Sequence, residues 1–181
     1  GVVITGADTV LADGARLTVR PSELGLSGPE LELATLRTPQ RLLVDGRGRV
    51  PLDAPFFQAG TARVVGMAGE APAYAAAGHD YLALPGAQGQ VDLAALLTRL
   101  GREQVNDVLV EAGPRLAGAF AQAGLVDEYH LFLAPKFLGS SARPLLDWPL
   151  EHLAQAPQLE ILSATPVGAD LHLIARPARD T

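Results

Sequence analysis

The chain has no cysteine among its 181 residues. That excludes disulfides, thiolate metal ligands and a cysteine nucleophile. Aromatic residues make up only 5%, with a single tryptophan, so Leu, Val and Ala must fill the core. Positive charge is short: 14 Lys and Arg face 20 Asp and Glu, for a formal charge of −6. An acidic balance argues against nucleic acid or an anionic membrane surface as partner. It leaves room for a local basic pocket that takes an anionic ligand. No apolar run approaches the ~18 residues of a membrane span, and a cytoplasmic protein is the expectation. The four histidines, His79, His130, His152 and His172, lack metal-ligand spacing. His-Glu-x-x-His, Gly-x-Ser-x-Gly and the P-loop signature are all missing. Metal hydrolysis, triad hydrolysis and P-loop chemistry therefore have no support.

What is present is ample apolar content, 48%, in a length that suits one domain. The most informative stretch runs from Val105 to Gly124. Val105 to Val110 reads as a strand buried on both faces. Gly113-Pro114 breaks it, and Leu116, Ala119, Phe120 and Ala123 follow with helical spacing. Gly124 is a natural stop. A strand, a Gly-Pro turn and a helix start present free backbone N–H groups and a positive helix end, which suit a phosphate. Gly113 lets a ligand approach the backbone. An empty junction of the same sequence pattern is equally compatible with these residues.

Elsewhere the pattern alternates between strands and helices. Val2 to Ile4 reads as a buried strand, and Asp8 or Thr9 is placed to cap a short helix through Ala12. Leu17 to Arg20 reads as extended and Ser22 to Pro39 as a loop. Arg41 to Asp45, Thr61 to Met67 and Tyr81 to Leu84 read as strands, and Pro72 to Ala77 as a short helix. Asp92 caps a helix built on Leu93, Leu96, Leu97 and Leu100, with Gly101 at its end. Such alternation predicts an α/β fold with a mostly parallel sheet. After Gly124 the style changes. Tyr129 to Ala134, Leu159 to Leu162 and Leu171 to Ala175 predict antiparallel strands closing the sheet edge. The chain also opens inside a strand pattern, which predicts a fragment whose leading part lies outside this sequence.

Several residues carry candidate chemistry. Glu111, at the end of a predicted buried strand, needs a partner. A helix cap, an internal ion pair or a polar substrate group would each serve. Arg20 has the planar fork that matches phosphate oxygens. Arg47 and Arg49 are compatible with a phosphate or with a solvated turn. Asp127-Glu128 reads as a solvated turn, Trp148 as packing, and His130 and His172 as surface or packing residues.

Three blocks then become familiar in order. Thr9-Val10-Leu11-Ala12-Asp13 with Leu17-Thr18-Val19-Arg20 is the first. Val110-Glu111-Ala112-Gly113-Pro114 with Leu116 and Leu125-Val126-Asp127-Glu128 is the second, and Ala134 to Gly139 the third. Together they resemble the reductase domain of the bifunctional riboflavin-biosynthesis deaminase/reductase, over nearly the whole chain. The resemblance implies a dihydrofolate reductase-like fold, with 1–181 a single reductase domain. It implies NADPH-dependent reduction of the ribosyl group of 5-amino-6-(5-phosphoribosylamino)uracil to a ribityl chain, with hydride delivered to the sugar C1. By matching position, Thr9, Asp13, Gly46 and the run Gly113, Pro114, Arg115, Leu116, Ala117, Gly118 and Ala119 are expected to contact the cofactor. Leu17, Arg20 and Glu111 are expected to contact the substrate, Arg20 through its phosphate. A homodimer through the C-terminal strands is implied, as is fusion to an N-terminal zinc deaminase domain. The family's first strand and helix have no counterpart in this sequence. Two further departures stand out: Asp13-Gly14-Ala15 lacks the family's Pro, and Gly46 stands where relatives often carry Ser. A dihydrofolate reductase-like enzyme of another substrate, or a non-catalytic nucleotide-binding or oligomerisation domain, is the alternative.

Overall fold

The computed structural model describes residues 1–36, 38–67, 69 and 71–178. The chain divides into two compact units, Gly1–Leu116 and Ala117–Thr181. The first is built on five strands: β1 (Val2–Gly6), β2 (Gln40–Val44), β3 (Arg63–Gly66), β4 (Asp80–Ala83) and β5 (Val108–Val110). They pair in the order β4-β3-β2-β1-β5, every pair parallel. Parallel neighbours need crossovers. These carry helices α1 (Ala7–Asp13), α2 (Gly28–Thr35), α3 (Pro55–Gln58), α4 (Ala71–Ala76) and α5 (Leu93–Arg102). β1 to β3 each carry a short apolar run covered on both faces: Ile4, Leu42, Leu43, Val64 and Val65 are fully buried. Side chains of this size each contribute ~1.5–3 kcal/mol on burial.

The direction in which successive strands are added reverses once in this sheet. From β1 the strands step outward through β2 and β3 to β4, and β5 then returns to the far side of β1. The carboxyl ends of β1 and β5 therefore flank the topological switch point, where open α/β sheets bind ligands.

Four local expectations are corrected. β5 is three residues long and an edge strand, with Leu109 57% exposed, so it is not buried on both faces. A short apolar run reads the same in either setting. The stretch 22–39 contains α2 rather than loop alone; Gly28-Pro29 opens it and Glu-Leu-Glu-Leu-Ala sustains it. Gly6, in extended conformation, is the N-cap of α1, so Asp8 and Thr9 lie inside the first turn. α5 runs past Gly101 to Arg102, although Asp92 caps it as expected, accepting the Ala95 N–H at 2.8 Å.

The boundary between units falls within α6 (Pro114–Gln122). The second unit contains β6 (Tyr129–Leu133), β7 (Leu159–Val167) and β8 (Asp170–Pro177). They form an antiparallel sheet of their own, in the order β6-β8-β7, with an irregularity between Ile161 and Ser163. Among the described residues no helix is long and apolar enough to cross a membrane.

Candidate functional site

At the switch point, the two connections that leave β1 and β5 are tied together. The Gly113 N–H donates to Thr9 Oγ1 at 2.9 Å. Thr9 stands in the first turn of α1 and Gly113 just before α6. Glu111 extends the β1–β5 ladder, its N–H donating to Ile4 O at 2.9 Å. Gly6 permits this approach. A Cβ there would meet Leu116 Cδ2 at 3.3 Å, so the first turn of α6 packs on the β1–α1 corner. The junction is thus preformed, with one of its backbone donors already taken by a hydroxyl. Glu111 itself is exposed, not buried as the sequence pattern suggests, and carries no desolvation penalty that demands a partner.

Charge gathers on the same edge. Asp8 Oδ1 lies 2.8 Å from Arg49 Nη1, and Asp8 Oδ2 lies 3.4 Å from Arg115 Nη1. The Arg49 hydrogen bond, together with the charges of Arg49 and Arg115, holds the Asp8 carboxyl below the usual carboxylate range against a partial desolvation. Arg49 and Arg115 each leave the sheet on a different connection, after β2 and after β5. Their meeting could not be read from the sequence, which offered no register between those connections.

Beside Gly46, Asp45 directly follows β2 and is almost fully buried, at 1% exposure. Its Oδ2 accepts the Val50 N–H at 2.8 Å and its N–H donates to Val65 O at 2.9 Å, which fixes the 45–50 turn that carries Arg47 and Arg49. Asp45 Oδ1 and the Thr5 hydroxyl are buried and lack a partner among the described residues. Sequence reading passed over both residues, because each looks like the end of an ordinary strand. A Cβ on Gly46 would meet only Val91 and Met67, at 3.4 and 4.0 Å, so the missing hydroxyl at this position costs no packing.

Of the remaining predicted residues, Asp13, Leu17 and Arg20 make none of these contacts. Asp13 is exposed at the end of α1, and Gly14 stops the helix in left-handed conformation, φ 60°, with its N–H on Val10 O. Gly14 thus ends α1 as a left-handed C-cap. Leu17 adopts φ 51°, a strained value for a branched side chain, and packs on the core. Leu17, Thr18 and Val19 line a cavity of about 510 Å³ together with Gln40, Arg41 and Thr61. This segment therefore runs beside the first residues of β2. The Arg41 guanidinium staples it there, donating to Arg16 O, Phe56 O, Gly60 O and Thr61 O. Arg20 pairs with Glu23 at 3.0 Å, both side chains 63% exposed. Pro114, Leu116, Ala117 and Ala119 are half-buried along α6. Gly118 has a packing reason of its own: a Cβ would lie 2.5 Å from Asp147 O.

The sequence matches the RibD C-terminal domain family over residues 1–173. The chain belongs to that family. This RibD C-terminal domain is 43% identical over 180 residues to the riboflavin biosynthesis protein RibD of Escherichia coli (strain K12), covering 95% of this chain and 48% of that protein. It is 33% identical over 148 residues to the 2,5-diamino-6-ribosylamino-4(3H)-pyrimidinone 5′-phosphate reductase of Archaeoglobus fulgidus, covering 78% of this chain and 65% of that one. Among solved structures, RibD of Acinetobacter baumannii matches with a TM-score of 0.80 at 33% identity, over 98% of this chain and 47% of that one. The chain spans about half the length of the RibD proteins it matches. The α/β class with a mostly parallel sheet and antiparallel C-terminal strands agrees with these relatives.

An anionic dinucleotide fits what the RibD C-terminal domain presents. A Cβ on Gly113 would meet only Thr9 Oγ1, at 3.4 Å, so open space lies over the backbone at the start of α6. Two guanidinia meet at Asp8, in the first turn of α1 beside Thr9, and the helix end adds its own positive potential.

Proposed function

We propose that this chain is the reductase half of a riboflavin-pathway enzyme. It would reduce the ribosyl group of 5-amino-6-(5-phosphoribosylamino)uracil to the ribitylamino product with NADPH. Family membership supports the reaction class, and the names of the Escherichia coli and Archaeoglobus relatives support the substrate class. The observation that carries the reading is the Thr9–Gly113 hydrogen bond at the switch point, which makes one ligand cradle of two connections 104 residues apart in sequence.

In this reading Gly113 gives close approach, and the N–H groups of the first turn of α6 face the cofactor pyrophosphate. Thr9, Asp13, Gly46 and the residues Pro114 to Ala119 complete the cofactor contacts. The cofactor supplies hydride when bound, and this chain supplies binding and orientation. Glu111, at the end of β5, accepts a hydrogen bond from a polar group of the substrate. Leu17 and Arg20 hold its phosphoribosyl end. The Arg20–Glu23 pair is exposed and worth ~0–1 kcal/mol, so a phosphate displaces Glu23 at little cost. A homodimer through the C-terminal strands and an N-terminal deaminase domain belong to the same proposal.

The test is NADPH oxidation, followed by absorbance, with the full-length natural protein and the deaminated phosphoribosylamino substrate. Turnover that requires this substrate is expected, and its absence would refute the reading. Arg20→Ala should raise KM for the phosphorylated substrate by about tenfold or more, with a much smaller change in KM for NADPH. Equal changes in the two would remove Arg20 from the phosphate.

A further inference from the structure

Among the described residues, a single hydrogen bond ties the stretch 15–36 to the rest of the first unit: Arg41 Nη1 donates to Arg16 O at 3.1 Å. The other hydrogen bonds and ion pairs of that stretch, such as Thr35 to Leu31 O and Arg20 to Glu23, stay within it. Leu17 follows the bonded carbonyl, packs on the core and sits at φ 51°. A branched residue holds this left-handed conformation only where its surroundings impose it, and such strain gathers at functional sites. Arg41 is an expensive way to impose it. The residue is 7% exposed, and among the described residues no carboxylate pairs with it. Its guanidinium donates instead to four carbonyls, those of Arg16, Phe56, Gly60 and Thr61, and lies 5.0 Å from the centroid of the Phe56 ring. Burial pushes its pKa below the usual arginine range. An apolar residue of similar volume would avoid that desolvation. It would not fasten the 16–20 segment to α3 and to the turn before β3, which one planar fork does here.

We propose that Arg41 is a positioning residue for the pyrimidine substrate: by holding the Arg16 carbonyl it fixes the backbone that presents Leu17 and Arg20. The proposal rests on the reading above, in which those two residues hold the phosphoribosyl end. Phe56 is fully buried and Gly60 and Thr61 lead into β3, so three of the four carbonyls belong to a firm base. The fourth belongs to a stretch with no other hydrogen bond to that base among the described residues. The guanidinium therefore transmits the position of the base to the segment. Arg20 itself is exposed and paired only with Glu23, three residues on. Its reach is set by where the backbone at 16–17 is pinned, and loss of the pin costs the substrate the ordering of that segment. The cofactor contacts at Thr9 and Gly113 are tied to each other by their own hydrogen bond and do not depend on the pin.

Calorimetric titration of the full-length protein with 5-amino-6-(5-phosphoribosylamino)uracil and, separately, with NADP+ reads this role without turnover. Arg41→Lys keeps the charge but cannot span four carbonyls, and should weaken the pyrimidine by about tenfold and NADP+ by less than about twofold. Arg41→Gln, with two N–H donors, should do at least the same. Leu96→Val is the control for general loss of stability: Leu96 is fully buried in α5 and lies outside the cluster on which Leu17 packs. It should lower the thermal midpoint and leave the ratio of the two dissociation constants unchanged. Limited trypsin digestion gives a second readout. The Arg16 side chain is exposed, and cleavage after it should quicken by about fivefold or more in both Arg41 variants, because the segment opens locally. Equal weakening of both ligands, or an unchanged constant for the pyrimidine, would overturn the proposal. An unchanged rate of cleavage after Arg16 would overturn it too, as would a ratio that moves as far in Leu96→Val. If the constants behave as stated while NADPH does not reduce the bound pyrimidine, the reductase reading fails and the positioning role stands.

Discussion

Gly113 and Gly118 are five residues apart in one matched motif, yet they serve different ends. At Gly113 an added methyl group would meet one hydroxyl oxygen at 3.4 Å, an ordinary contact, and the residue is not among those with positive φ. Gly113→Ala should therefore leave the denaturation midpoint nearly unchanged, within about 0.5 kcal/mol. It should still raise KM for NADPH, because the methyl group occupies the space a phosphate needs. Gly118 faces the backbone of Asp147, and a Cβ 2.5 Å from a carbonyl oxygen cannot be accommodated without a backbone shift. Gly118→Ala should cost ~1–3 kcal/mol in urea denaturation, and its kinetic losses should follow its stability. Equal stability of the two variants would refute this division. The sequence named both glycines and could not tell them apart, because close approach to a ligand and close approach to a loop select the same residue. Likewise Thr9 and Gly113 were each legible, but their hydrogen bond was not. Nothing local states that β1 and β5 are neighbours. For the same reason Arg49 was compatible with a solvated turn until the sheet order brought it to Asp8.

At the scale of elements, what was legible depended on local signals. α5 has the strongest of them: a capping Asp92, an apolar stripe that buries Leu96 and Leu100, and Arg99 and Arg102 in the last turn. Its start was read correctly because every one of those signals is carried by neighbours in sequence. Asp92→Ala should cost ~1 kcal/mol, the usual value of an N-cap, measured as a shift in the urea midpoint without change in slope. No shift would mean that the Asp92–Ala95 bond contributes nothing. α2 was missed because all its residues are at least partly exposed and its stripe points at nothing that a pattern could register. β5 was overstated because its apolar residues do not reveal that one side is an edge. His130 and His172 read as separate surface residues. They face each other on β6 and β8, His130 Nδ1 lying 3.0 Å from His172 Nε2, with Glu128 on the far nitrogen of His130 at 2.8 Å. The register pairs Phe132 with His172 and His130 with Ile174, so the histidines are diagonal neighbours. No spacing within either strand encodes that.

At the scale of the whole molecule, the edges of the C-terminal sheet bear on association. Three strands in the order β6-β8-β7 leave two open edges, and β7 is nine residues long. Long exposed edges with apolar side chains are templates for association unless something covers them. Here Phe132 is 64% exposed on β6 and Ile161 63% exposed on β7. Pro166 is the one residue on β7 that lacks an N–H donor, and the bulge near Ile161 interrupts the ladder at a single point. The rest of the edge can pair. A second copy of the chain is the partner that the proposed homodimer supplies, and a two-fold interface matches one such edge with itself. Sedimentation equilibrium of the full-length protein should therefore give twice the chain mass at micromolar concentration, and the thermal midpoint should rise with protein concentration. Ile161→Lys should shift the equilibrium toward monomer, since a charge on a strand edge opposes pairing. The far-UV circular dichroism of the variant should keep the signature of both sheets. A variant that dimerises like the unaltered protein would move the interface away from β7. A monomer for the unaltered protein would leave these edges to another partner and remove the homodimer from the proposal.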